Sequence, residues 1–403
     1  MERWKLNLYT IWFAQVISYI SFGFGLPFLA FYIQDLGVTD PGEVRMYTGI
    51  LNTVCGLASA VGTPIWGMLA DRFGKKLMLL RAICCAMLII AGMGMVTQVN
   101  QLILLRFAQG LFTGTVTAAA ILVVAGTPNA HLTYALGLLS SSTFIGTSIG
   151  PVIGGLVAET VGYRNSFYLG ALLMLANFFI VLLAVHDNPA APGEEAAPRT
   201  GQRFRVREII TPPLLILATA LLFLTVARSI FTPFLALYVQ EIRSQIAGAS
   251  GVTGMISGVV ALMTALSGLI LGRWADWFSK RKLLMVLLAA GAAVSLPLPL
   301  VANLWLFTAV FALLFLIIGG IEPIITAISS ESASRSRQGA ILGLLGFVSS
   351  LGFALAPLLG GWIAIRFSIP LILATIPLLL GLALVTLGMG RPKSKVANPF
   401  LEE

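Results

Sequence analysis

Pro27-Phe28-Leu29-Ala30-Phe31-Tyr32-Ile33-Gln34-Asp35 recurs 206 residues later as Pro233-Phe234-Leu235-Ala236-Leu237-Tyr238-Val239-Gln240-Glu241. Both copies close a long apolar run. Two further matches fall at nearly the same shift: Gly67 to Asp71 recurs as Gly272 to Asp276, and Pro151, Gly154 and Gly155 recur as Pro357, Gly360 and Gly361. Three matches at one offset are hard to produce by chance, so the chain reads as two copies of one unit.

The surroundings of these segments say what the unit is made of. Of 403 residues, 58% are hydrophobic and 10% charged, whereas a soluble domain carries roughly 25% charged residues to cover its surface. Lipid is therefore the solvent, and a soluble enzyme is excluded. Apolar runs at 8–33, 45–70, 77–97, 101–125, 132–157, 164–186, 211–240, 250–274, 283–301, 304–328, 338–364 and 369–389 each suffice for a helix of about 20 residues that crosses a bilayer. Twelve spans place six in each copy, residues 1–186 and 209–390. A polar linker, 187–208, joins them, and a tail, 391–403, follows. With six spans between equivalents, the copies share one orientation and enclose a cavity between them.

Charge sets the expected topology. Nineteen Lys and Arg fall on the side of the termini and linker and four on the other, which places both termini in the cytoplasm of a cell with this protein in its inner membrane. The net charge of +9 is thus a topological signal dispersed between apolar runs, and nucleic acid is not an expected partner. Cys55, Cys84 and Cys85 lie in apolar runs without partnering His, so neither a disulfide framework nor a metal site is expected. No nucleotide-binding loop or hydrolase motif appears, so no cofactor, no direct ATP drive and no enzyme chemistry are expected.

Three elements carry a resemblance. The loop after the second span reads Gly67-Met68-Leu69-Ala70-Asp71-Arg72-Phe73-Gly74-Lys75-Lys76. The fifth span contains Gly146-Thr147-Ser148-Ile149-Gly150-Pro151-Val152-Ile153-Gly154-Gly155, and the fourth Arg106-Phe107-Ala108-Gln109-Gly110. Together they resemble the signature elements of the major facilitator superfamily, and the glycine-proline motif resembles that of its drug:proton antiporter branch. The resemblance extends over the whole chain in span number, linker position and duplication. It implies a twelve-helix fold and export of small molecules against protons. It also implies a conformational latch made of Gly67, Asp71, Arg72, Gly74, Lys75 and Lys76, with Asp276 in the second copy, and a role in proton coupling for Arg106. In the second glycine-proline motif Ala356 replaces the glycine before Pro357. No central acid lies in the first span, a departure that puts a first-span carboxylate mechanism in doubt.

Glu322, in Gly319-Gly320-Ile321-Glu322-Pro323, is the acid inside a span. A carboxylate there costs several kcal/mol unless protonated, paired or facing a wet cavity, which makes it the main expected proton or cation site. A solvated helix cap beside Pro323 is the plainer reading. Arg228, in the seventh span, is the expected partner. Arg106 either faces protein or snorkels to the near interface. Aromatic and amide residues, Gln15, Tyr19, Phe22, Tyr32, Gln109, Phe231, Phe234 and Tyr238, are candidates to line a cavity for lipophilic cations. The expected activity is proton-coupled export of lipophilic or cationic drugs by a monomer in the lipid bilayer. Export of an endogenous amphiphile, lipid or sugar is the alternative, and a non-transporting membrane receptor or scaffold a more distant one.

Overall fold

In the computed structural model the described residues are 2–128, 131–186, 211–331 and 335–389, less the side chains at 64, 67, 68, 71, 72, 133, 331 and 335–340. Among them the chain forms helices and connecting turns, with no strand. The helices are α1 (Arg3–Gly23), α2 (Leu29–Asp35), α3 (Pro41–Phe73), α4 (Lys75–Met95), α5 (Val99–Phe112), α6 (Thr115–Gly126), α7 (Leu132–Val161) and α8 (Tyr163–Ala184). After the linker come α9 (Pro212–Ser229), α10 (Leu235–Arg243), α11 (Ala249–Trp277), α12 (Lys280–Ser295), α13 (Leu304–Ile318), α14 (Ile321–Glu331), α15 (Arg335–Arg366) and α16 (Ile369–Met389). Eleven stretches among the described residues are long and apolar enough to cross a membrane. The chain is a multi-pass membrane protein.

Several expected continuous spans are broken, each for a local reason. Pro27 and Pro233, which lack a backbone donor, sit in 3-10 turns at Leu26–Phe28 and Thr232–Phe234 and divide α1 from α2 and α9 from α10. The fourth span breaks between α5 and α6, where Gly114 takes φ +71°, a left-handed conformation that glycine adopts without strain. Three donors satisfy the carbonyls exposed there. Trp66 Nε1 donates to Leu111 O at 2.7 Å, and Arg81 donates to Phe112 O at 2.7 Å and Thr113 O at 3.3 Å. The Arg81 guanidinium lies 3.5 Å from the centre of the Trp66 ring. Arg81, from the third span, thus caps a broken helix.

Two helix pairs join the two copies of the repeat, α7 with α11 and α3 with α15. Both seams are lined with small residues and lie toward the end that carries Asp35 and Glu241, the distal end. A Cβ on Gly258 would lie 2.6 Å from Ser148 O, and one on Gly56 2.9 Å from the Ala354 Cα. At Gly137, Gly268, Gly272, Gly343 and Gly346, nearer the other end of these helices, a Cβ would meet nothing within 4 Å. The close glycine contacts of both seams thus lie toward the distal end.

Candidate functional site

The glycine-proline motif of α7 has two faces. Gly146, Gly150 and Gly154, spaced by four, lie against Tyr19, Ile20 and Gly23–Phe24 of the first span. Gly155, one turn beyond Pro151, lies 2.5 Å at an added Cβ from Ser250 O, and Gly254 of α11 packs on the Pro151 carbonyl. The motif thus holds α1 on one side and forms the seam between the repeats on the other. The second copy does the same: Gly360 packs against Ile230 and Phe234, while Gly49 of α3 meets Pro357 and Gly361. Gly352 packs on Thr225 as Gly146 packs on Tyr19, a counterpart that the weaker local match hides in the sequence.

In the loop expected to act as a latch, Gly74 takes φ +96° between α3 and α4, a turn that a Cβ would strain. Lys76 Nζ donates to Leu182 O at 2.9 Å, tying the turn to the end of α8, and Lys75 borders a cleft beside Trp4 and His186. Asp276 is exposed near the end of α11. The side chains of Gly67, Asp71 and Arg72 lie outside the described residues.

Glu322 is positioned by a break in the tenth span. Gly319 and Gly320 press on α11, where a Cβ would lie 2.9 Å from the Thr264 Cα and 2.8 Å from Ser267 O, and Ser267 Oγ accepts from Gly320 N at 2.8 Å. The helix restarts as α14 with Glu322 in its first turn. There the helix N-terminus favours a negative group. Its two carboxylate oxygens have partners on different helices. Arg228 Nη1 on α9 donates to Oε2 at 3.2 Å, and Ser349 Oγ on α15 donates to Oε1 at 2.7 Å. The pair borders an open cavity of 390 Å³ that Gly56 and Ser59 of α3 also line, so it lies between the repeats. Arg228 Nε is buried without a hydrogen-bond partner.

Arg106 is disposed differently. It is 5% exposed and turned into the protein, not toward the interface. Its Nε donates to Leu51 O at 3.3 Å, Nη1 to Gln109 Oε1 at 2.5 Å and Nη2 to Asn52 Oδ1 at 2.9 Å. All three acceptors are neutral. Gly110, one turn on, packs on the Cys55 carbonyl, which brings α5 close enough to α3 for these bonds.

The profile of the Major Facilitator Superfamily matches residues 11–245 and 225–403. The chain belongs to that superfamily. Among superfamily relatives, the multidrug resistance protein MdtG of Proteus mirabilis is 28% identical over 366 residues, 91% of each chain. MdtG of Escherichia coli is 29% identical over 370 residues, 91% of this chain and 89% of that one. In fold, the chain is similar to a bacterial homolog of the human lysosomal transporter Spinster in an inward-facing, occupied conformation, with TM-score 0.78 and 13% identity over 94% and 95% of the two chains. It is likewise similar to the nucleoside transporter NupG, with TM-score 0.73 and 13% identity over 97% and 100%. The protein is a membrane transporter of the major facilitator superfamily.

Within this superfamily member, six of the eight expected cavity-lining residues are buried inside the packed helices. Tyr32 is fully buried, donates to Met93 O at 2.8 Å and packs its ring at a tilt against Phe167. Its repeat partner Tyr238 donates to Val301 O at 2.9 Å and joins Phe231, Phe307 and Phe311 in one aromatic cluster. Phe234 is fully buried as well. These rings are large enough to fill the space inside each repeat, and each tyrosine hydroxyl finds a carbonyl there. Gln15 is also buried, donating to Thr115 O at 3.1 Å, and Gln109 serves Arg106. Tyr19 and Phe22 remain half-buried.

Gln34 and Gln240, the same position of the two copies, exchange hydrogen bonds of 2.9 and 3.1 Å across the distal seam. Beside them Arg45 pairs with Glu241 at 2.7 Å and donates to Ala364 O at 3.0 Å. Ser349, Asn52 and Arg45 escaped the sequence reading: a serine, an asparagine and a loop-side arginine carry no pattern until their partners from distant segments are in place.

Proposed function

We propose that this transporter exports lipophilic or cationic drugs in exchange for protons by alternating access, with Glu322 as the proton and cation site and Arg228 as its partner. The observation that carries the reading is the Glu322 carboxylate held at a cavity between the repeats by donors from α9 and α15. A proton on Glu322 removes the charge that holds Arg228, so proton and substrate compete for one group. MdtG relatives named for multidrug resistance support the drug class. Arg106 supports coupling by fixing α5 to α3. The latch around Gly74 and the glycine-proline seams supply the parts that rock. The test is dye efflux from cells expressing wild type and Glu322→Gln, with and without a proton-gradient collapser. Wild type should lose efflux with the gradient, and the variant should show no gradient-dependent efflux at all; unchanged coupling in the variant would sink the mechanism.

The same reading assigns two six-helix halves, residues 1–186 and 209–390, with the 33-residue α3 as the twelfth span beside the eleven others. Both termini, the 187–208 linker and the 391–403 tail are assigned to the cytoplasm and the distal end to the outside of the inner membrane, in line with the Lys and Arg bias. In that orientation the close glycine contacts of the seams lie on the outer side. Transport by a monomer is sufficient, since each copy of the chain holds both sides of the cavity.

A further inference from the structure

We propose that the Arg228–Glu322 pair selects substrates that carry a cationic and an anionic group together. This rests on the reading that the cavity beside the pair is the substrate site. The two side chains are 20% and 38% exposed, so a molecule entering the cavity can reach both. A substrate bearing only a cation that takes Glu322 shares or weakens its bond to Arg228. That leaves the guanidinium with less counter-charge, a cost that an anionic group on the same substrate removes. A substrate with both charges trades one internal pair for two intermolecular ones, and every charge stays matched.

Arg228 is already short of an acceptor. Its Nε is buried and unbonded while Nη1 is committed to Glu322. The planar fork of a guanidinium donates two parallel bonds to a carboxylate, so a substrate carboxylate can be held by the terminal nitrogens of Arg228 at the cavity, while the enclosed Nε stays out of its reach. Around the pair, Ser59, Ser229, Ser349 and Ser350 offer hydroxyls, and Phe315 and Phe353 offer ring faces to a flat scaffold. The second intramembrane arginine shows the contrast. Arg106 has three neutral acceptors and little exposure, and nothing about it can be exchanged.

The test uses the full-length protein in lipid nanodiscs and titration calorimetry at about neutral pH, with ciprofloxacin, which bears an amine and a carboxylate, and its ethyl ester, which keeps only the amine. Wild type should bind ciprofloxacin at least about tenfold more tightly than the ester, because a site built for a polar partner rejects an analogue lacking it. In Arg228→Gln the advantage should vanish or invert. Equal or tighter binding of the ester by wild type, binding of neither compound, or an advantage that persists in Arg228→Gln would overturn the proposal. The wild-type comparison needs no variant, so the proposal stays open to refutation if Arg228→Gln does not fold. Preferential binding of ciprofloxacin without gradient-driven flux in proteoliposomes would support this substrate class and remove the proton coupling instead.

Discussion

Arg106 and Arg228 look alike in the sequence, each an isolated arginine in an apolar span, and the fold gives them opposite surroundings. Arg106 is enclosed by a main-chain carbonyl and two side-chain amides within the first repeat. Arg228 faces a carboxylate at the edge of a cavity between repeats and keeps one buried donor unpaired. A buried cation with neutral, fully formed hydrogen bonds is a fixed part of the scaffold. A cation paired with an acid beside a cavity can change partners, and transport needs a group of that kind.

The comparison breaks most decisively at Glu322. Glu322→Gln should abolish gradient-driven dye efflux with only a modest loss of thermal stability in the purified protein, because the amide oxygen can still accept from Arg228 while the amide NH2 donates to the Ser349 hydroxyl, although Arg228 loses its counter-charge. Arg106→Ala should do the reverse on stability. It strands three buried acceptors or their helix, and should cost roughly 2–4 kcal/mol, read as a lowered midpoint in heat-challenge chromatography. If Arg106→Ala proves neutral there, its network is not a scaffold.

The seams offer a finer test. Gly254→Val would drive methyl groups into the Pro151 carbonyl. It should hold the distal end open and slow efflux several-fold, with increased thiol labelling of a cysteine placed at Leu237. The Arg45–Glu241 pair on the same seam is partly exposed and should be worth about 1 kcal/mol or less. Arg45→Glu and Glu241→Arg should each shift that labelling modestly, and the double exchange should restore it. The smallest effect is expected from Tyr238→Phe. Loss of its bond to Val301 O should cost about 1 kcal/mol of stability and leave dye affinity unchanged; a large change in affinity would return this ring to the cavity.

Much of the architecture was legible because it is written at one period and one offset. Apolar runs reported the spans, and Pro27 and Pro233 marked matching ends in both repeats. Glu322 stood out because carboxylates are costly in apolar surroundings. The aromatic candidates went astray for the opposite reason: a ring is equally at home in a cavity wall and in a packed interior, and Tyr32, Phe231, Phe234 and Tyr238 take the second place. The break after Thr113 and its Arg81 cap were hidden because a lone glycine in a helical run marks no break by itself, and the cap comes from another span.

The sequence by itself determined that the chain spans a membrane many times, that several of its segments recur about 206 residues apart, and that very few charges enter its interior. Each of these follows from solvation, because lipid tolerates apolar helices and penalises every charge placed among them. Tertiary structure alone decided which of those charges meet. The Glu322 site draws on Arg228, Ser349 and Ser59 from three other helices, and the distal seam joins Gln34 to Gln240, the same position in the two copies. Such partnerships depend on helix crossing points set by small residues at the seams, and linear spacing carries no record of where two distant helices touch.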